Sequence, residues 1–127
     1  MHHLKFDQER RLKRRKIIEK LFKNGHSFGM YPLRAVWIPV EQSPENCTVQ
    51  MGVSVAKKKF PHAVDRNRIR RQVREAFRIH QGLLAGLEAP LALMVLYTAA
   101  EALPFSDIEG AMVRLLKKIG KQVVKEG

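Results

Sequence analysis

Arg66-Asn67-Arg68-Ile69-Arg70-Arg71-Gln72-Val73-Arg74-Glu75-Ala76-Phe77-Arg78 sets six arginines in thirteen consecutive positions. The spacing predicts a helix: at about 100° per residue, Ile69, Val73, Ala76 and Phe77 fall on one side, and His80 extends that stripe. This side can pack on a core. The opposite side, within roughly a third of the circumference, collects Asn67, Arg70, Arg71, Arg74 and Arg78, with Arg66 and Arg68 flanking it near the first turn. The result is an oily prop carrying a basic ridge, which requires a layer beneath it.

Guanidinium groups are planar forks that match phosphate oxygens two at a time, so arginine in preference to lysine points to recognition of a phosphate backbone. A solvated face relieved by ion pairs would need more carboxylates than Glu75 within the segment and Asp65 just before it.

The rest of the charge supports this reading. The chain has 127 residues, 45% of them hydrophobic, which suits one domain with a core of its own. Of the net +12, residues 1–23 carry nine basic groups against Asp7, Glu9 and Glu19, and residues 57–78 carry nine against Asp65 and Glu75. Those two segments hold +13 and the remainder −1. Charge concentrated in two distant segments suggests two walls of one footprint for nucleic acid.

A membrane surface is a poorer match, because the apolar area beside the arginines is needed for the core. The longest apolar run, 91–96 with Tyr97 after it, falls far short of the roughly 20 residues of a membrane-spanning helix. The N-terminal residues are charged throughout and show no secretory h-region, so a cytoplasmic location is expected. Cys47 is the single cysteine, which excludes an internal disulfide and a thiolate metal cluster. It sits in the polar, turn-like stretch 41–48 without a nearby histidine to make it a nucleophile.

Outward from the ridge, residues 1–11 read as a loosely held lead-in. A helix is expected over 12–23, with Ile17, Ile18, Leu21 and Phe22 on one stripe, closed by Asn24-Gly25 as a glycine C-cap. A strand over 32–40 puts Leu33, Ala35 and Trp37 on one side and Arg34, Val36 and Ile38 on the other. The strand over 48–56 alternates Val49, Met51, Val53 and Val55 against Gln50, Gly52, Ser54 and Ala56. This small, polar second face can admit a nucleic-acid strand or simply face solvent. Lys57, Lys58 and Lys59 follow, and Asp65 is placed to cap the arginine helix. Residues 81–90 form a loop, and 91–97 read as a strand covered on both faces. Ser106-Asp107-Ile108-Glu109 has capping-box spacing before a closing helix with Ile108, Met112, Leu115, Leu116 and Ile119 inward. Residues 122–127 read as a tail. The order points to a single sheet layer packed against helices.

Arg66-Asn67-Arg68-Ile69-Arg70-Arg71, then Arg74-Glu75-Ala76-Phe77-Arg78, preceded by Gly52-Val53-Ser54-Val55-Ala56-Lys57-Lys58, together resemble the protein subunit of bacterial ribonuclease P. The likeness extends to Leu12-Lys13, Leu21-Phe22 and Gly25. It implies a two-layer α/β sandwich: a central mixed sheet with helices, and a left-handed βαβ crossover through the arginine-rich helix, as in a domain of a small-subunit ribosomal protein. General handedness rules would have favoured the right-handed form.

The resemblance also implies a division of labour. A large RNA subunit, with Mg2+, removes the 5′ leader of precursor tRNA, and the protein binds that RNA and the leader. It assigns Lys57, Lys58, Arg66, Asn67, Arg68, Arg70, Arg71, Arg74 and Arg78 to RNA contact. It places a leader groove between the first helix and the sheet, at Ile18, Phe22, Trp37 and Ser54. Ile18 stands where the family commonly has phenylalanine, so it fills the groove without offering a ring on which a base can stack.

No catalytic residue is expected in the chain. It has no His-x-His, no Glu-x-x-His and no paired carboxylates suited to a two-metal site, so no metal is assigned to it and Mg2+ belongs to the RNA partner. The alternative is a ribosomal or other structured-RNA-binding protein with no role in an enzyme. DNA is not an expected partner, because strand-like segments rather than a second tight-turn helix flank the arginine helix.

Overall fold

The computed structural model of the chain describes residues 15–40, 49–84 and 90–126. The lead-in over 1–11, the turn around Cys47 and the first residues of the helix expected from Leu12 lie outside these. In order come α1 (Arg15–Asn24), β1 (His26–Met30), β2 (Leu33–Pro39), β3 (Val49–Val55), α2 (Ala63–His80), a 3-10 turn (Gln81–Leu84), β4 (Leu91–Tyr97) and α3 (Phe105–Glu126).

The strands form one four-stranded mixed sheet in the order β1-β2-β4-β3. β2 pairs antiparallel with β1 and β4, while β3 pairs parallel with β4, so α2 is the crossover between adjacent parallel strands. β4 is central and covered on both faces, as its unbroken apolar run requires.

Period-two alternation sorts the side chains into two cores. Leu33, Ala35 and Trp37 of β2 and Leu91, Leu93, Val95 and Tyr97 of β4 join Val49, Met51 and Val55 under α2 and α3. The inward stripes are Ile69, Val73, Ala76 and Phe77 of α2, and Ile108, Met112, Leu115, Leu116 and Ile119 of α3. Burial of each such leucine or isoleucine contributes about 1.5–3 kcal/mol relative to exposure. On the other face a smaller cluster of Val36, Ile38, Ala92 and Met94 receives Leu21 of α1.

Four expectations about helix ends are revised. Gly25 does close α1, but by close approach rather than by a left-handed turn: its amide donates to the Leu21 carbonyl at 2.8 Å, and a Cβ would run into that same oxygen. It would also come within 3.0 Å of Val36 Cγ1. Gly25→Ala is therefore expected to cost about 1–3 kcal/mol of stability, read as a lower thermal midpoint. An unchanged melt would mean that α1 shifts freely.

Asp65 does not cap α2, which begins at Ala63 after an extended His62; Asp65 sits within the first turn, where a carboxylate favours the helix dipole. The capping box at Ser106 is not made either. α3 begins at Phe105, with the Pro104 carbonyl accepting from the amides of Asp107 and Ile108, and Glu109 reaches His80 Nε2 of α2 at 2.9 Å. At its far end α3 runs through Glu126, so 122–126 are helical where a tail was expected. Gln122 Oε1 accepts a hydrogen bond from Trp37 Nε1 at 3.3 Å.

β1 was not marked out by the sequence. Ser27 and Gly29 break its apolar pattern, and as an edge strand with one hydrogen-bonded neighbour it has little need of one.

Candidate nucleic-acid interface

α2 is held from beneath by four buried side chains, so its outer arginines project from a rigid base. They are not equivalent. Arg68 and Arg71 are exposed and have no hydrogen-bond or ion-pair partner among the described residues. Arg70 is half-buried and donates through Nη1 to Asn67 Oδ1 at 3.1 Å, which orients both side chains along the ridge. Arg74 is half-buried on the same row. Arg78 is exposed but paired: Nη2 and Nε donate to the Glu75 carboxylate at 2.6 and 3.1 Å. That hydrogen bond holds the Glu75 carboxyl below its usual range and raises the Arg78 guanidinium in turn. Arg78 thus offers an incoming phosphate less net charge than Arg71.

Arg66 is turned back on the protein. Its Nη1 donates to the carbonyl oxygens of Phe60 and Pro61 at 2.8 and 2.9 Å, across the turn that precedes the helix. Within that turn Lys57 and Lys58 are exposed and bond to no protein group among the described residues, whereas Lys59 Nζ donates to the Thr98 carbonyl at 2.8 Å. The basic surface therefore runs from Lys57 and Lys58 onto the outer side of α2.

The expected groove is assembled only in part. α1 lies on β2 and β4, with Ile18 half-buried against the Val36, Ile38, Ala92 and Met94 cluster and Phe22 57% exposed beside it. On β3, Gln50 and Gly52 are buried while Ser54 is exposed, so the open part of this face is at the C-terminal end of β3, three residues before Lys57.

Trp37 is not in the groove. It is 0% exposed on the opposite face of the sheet, in the core under α2 and α3, and stacks on His26 with ring centroids 4.5 Å apart. The β2 residues on the groove face are Arg34, Val36 and Ile38. Arg34 is exposed and registers with Leu96 of β4, which in turn registers with Ser54 of β3. Arg34 and Leu96, which share this face, were not singled out from the sequence; the alternation already separated Arg34 from Trp37, but it does not say which side α1 takes.

Mg2+ prefers a near-octahedral set of oxygen ligands. Among the described residues no group of three or more His, Cys, Asp or Glu side chains is placed to hold a metal ion, and the Glu75 carboxylate is already held by Arg78. Among the described residues no helix is long and apolar enough to cross a membrane.

Comparison with known proteins agrees with this fold. The family model for ribonuclease P matches residues 6–120. The ribonuclease P protein component of Porphyromonas gingivalis is 38% identical over 120 residues, covering 89% of this chain and 85% of that protein. The component of Chlorobaculum tepidum is 38% identical over 89 residues, covering 63% of this chain and 57% of that one. Among solved structures, the ribonuclease P protein of Thermotoga maritima superposes with a TM-score of 0.69 at 24% identity, covering 85% of this chain and 96% of that one. That of Staphylococcus aureus gives 0.67 at 23%, covering 87% and 94%. A basic helix on a mixed α/β sheet, the match over most of the chain and the level of identity lead to one conclusion: this chain belongs to the ribonuclease P protein family.

Proposed function

We propose that the chain acts as the non-catalytic protein subunit of the ribonuclease P ribonucleoprotein, holding RNA for a reaction that the RNA subunit performs with Mg2+ in the cytoplasm. Lys57, Lys58, Asn67, Arg68, Arg70, Arg71 and Arg74 face the phosphate backbone of the RNA subunit, and Arg78 lies at the edge of that surface. The single-stranded 5′ leader of precursor tRNA lies in the groove between α1 and the sheet, against Phe22, Ile18 and Ser54, with Arg34 beside it.

The observation that carries this reading is the display of Arg68 and Arg71, without hydrogen-bond or ion-pair partners among the described residues, on a helix whose underside is buried in the core. Cations left without carboxylates on a rigid support are pre-organised for a polyanion. On this reading Glu75 serves Arg78 and Asp65 the first turn of α2, and water activation belongs to the RNA and its metal ions.

The test is the affinity of the assembled ribonucleoprotein for precursor tRNA with and without its leader. The chain is expected to favour the leader-bearing form. Phe22→Ala is expected to cost about 1–3 kcal/mol of that preference through lost base stacking, with little loss of stability because the ring is largely exposed. Equal affinity for both forms with the native chain would remove the groove from the account.

A further inference from the structure

Arg66 stands in the arginine-rich segment as though it were one more phosphate contact, yet its geometry gives it other work. Residues 57–61 form a tight turn between β3 and α2, closed by the Phe60 amide donating to the Ala56 carbonyl at 3.0 Å. Three attachments hold that turn. The Phe60 ring is 8% exposed and meets Tyr97 edge-on at 5.9 Å. Lys59 Nζ reaches the Thr98 carbonyl, and Thr98 is itself fastened to the Pro32 carbonyl through its amide and its hydroxyl at 2.8 and 3.1 Å. Arg66 closes the third side, with both hydrogens of Nη1 directed at the carbonyls of Phe60 and Pro61.

We infer that Arg66 is a positioning residue: with Lys59 it clamps the 57–61 turn so that Lys57 and Lys58 are presented to RNA as a fixed pair. A lysine on a free loop loses much of its ordering entropy on binding, whereas one on a clamped turn has lost part of it beforehand. Because Nη1 is committed to the two carbonyls, Arg66 cannot offer its Nη1–Nη2 fork to a phosphate without releasing the turn. The lysine run is thereby divided, with Lys57 and Lys58 facing outward and Lys59 facing the protein. The inference rests on the reading that Lys57 and Lys58 touch RNA.

A double-mutant cycle tests it. Affinity for the RNA subunit is measured across a salt series for the native chain, Arg66→Ala, Lys57→Ala with Lys58→Ala, and all three changes together. Loss of the two lysines is expected to lower the log–log salt slope by about 1.4–1.8. Arg66→Ala is expected to weaken binding about 10-fold in the native background and less than about 2-fold once the lysines are gone, since it acts through them. An equal loss in both backgrounds would overturn the clamp and make Arg66 a direct contact. If removing the lysines leaves the slope unchanged, the underlying reading of these residues fails, and the clamp's purpose with it.

Amide hydrogen exchange of the free protein supplies a readout that a direct contact would not move. Arg66→Ala should speed exchange at Phe60 while leaving Val73 and Phe77 protected, and Arg66→Lys should restore part of the protection. Unchanged exchange at Phe60 would also overturn the proposal.

Discussion

Replacing Arg68 and Arg71 together by alanine is expected to weaken binding to the RNA subunit by about 30-fold near physiological salt, and to lower the log–log salt slope by about 1.4–1.8. These two lie three positions apart on α2, about 60° around its axis, and so present neighbouring forks. Each is exposed and lacks a protein partner among the described residues, so no hydrogen bond or ion pair to those residues is lost with them. Alanine is also the better helix former, which keeps the expected change in stability within about 0.5 kcal/mol. A gel-shift or fluorescence titration over a salt series, with a thermal melt of the free protein alongside, reads both quantities. Arg78→Ala should do less, because Glu75 already offsets that guanidinium. If the double variant bound with native slope, the outer side of α2 would not be on the RNA.

Trp37→Ala is expected to lower stability by about 3–5 kcal/mol, a large share of the about 5–15 kcal/mol that a domain of this kind has in total. The indole is 0% exposed and packs in the main core, its ring lies over His26, and its N–H is satisfied by Gln122, so truncation leaves both a cavity and an unpaired acceptor. Any loss of leader binding should follow the loss of folded protein. Since Trp37 is the only tryptophan, its fluorescence offers a direct check. Adding a single-stranded leader should leave the emission nearly unchanged, because the groove lies across the sheet. Strong quenching of the stacking kind would place the leader against Trp37 and reverse the assignment of faces.

The placement of Trp37 shows where reading from sequence stops. Period two separates Leu33, Ala35 and Trp37 from Arg34, Val36 and Ile38, and the structure keeps that separation. Which set faces α1 is decided by Leu21 seating on Val36, Ile38, Ala92 and Met94, a contact between segments far apart in the chain. The long helices were legible because their apolar stripes are strong: every inward residue expected on α2 and α3 from Ile69 to Phe77 and from Ile108 to Ile119 is buried. β4 was legible for the same reason.

Details that depend on backbone direction were not legible. Nothing local shows that Arg66 will find the carbonyls of Phe60 and Pro61, or that Glu109 will leave its capping role for His80, 29 residues away. The second strand face was overestimated as well. Gln50 and Gly52 are buried, so only the Ser54 end of that small-residue row is open. At Glu109 a short-range rule gave way to a contact across 29 residues, and at Arg66 to one across the turn before the helix.

The most direct test of the central claim, that this protein grips RNA while the RNA does the cutting, is reconstitution at low Mg2+ with the RNA subunit and a precursor tRNA. Leader release is expected when chain and RNA subunit are combined, with none from the chain alone and little from the RNA subunit alone. Cleavage by the chain without the RNA subunit, or an RNA subunit no more active with the chain than without it, would contradict the account.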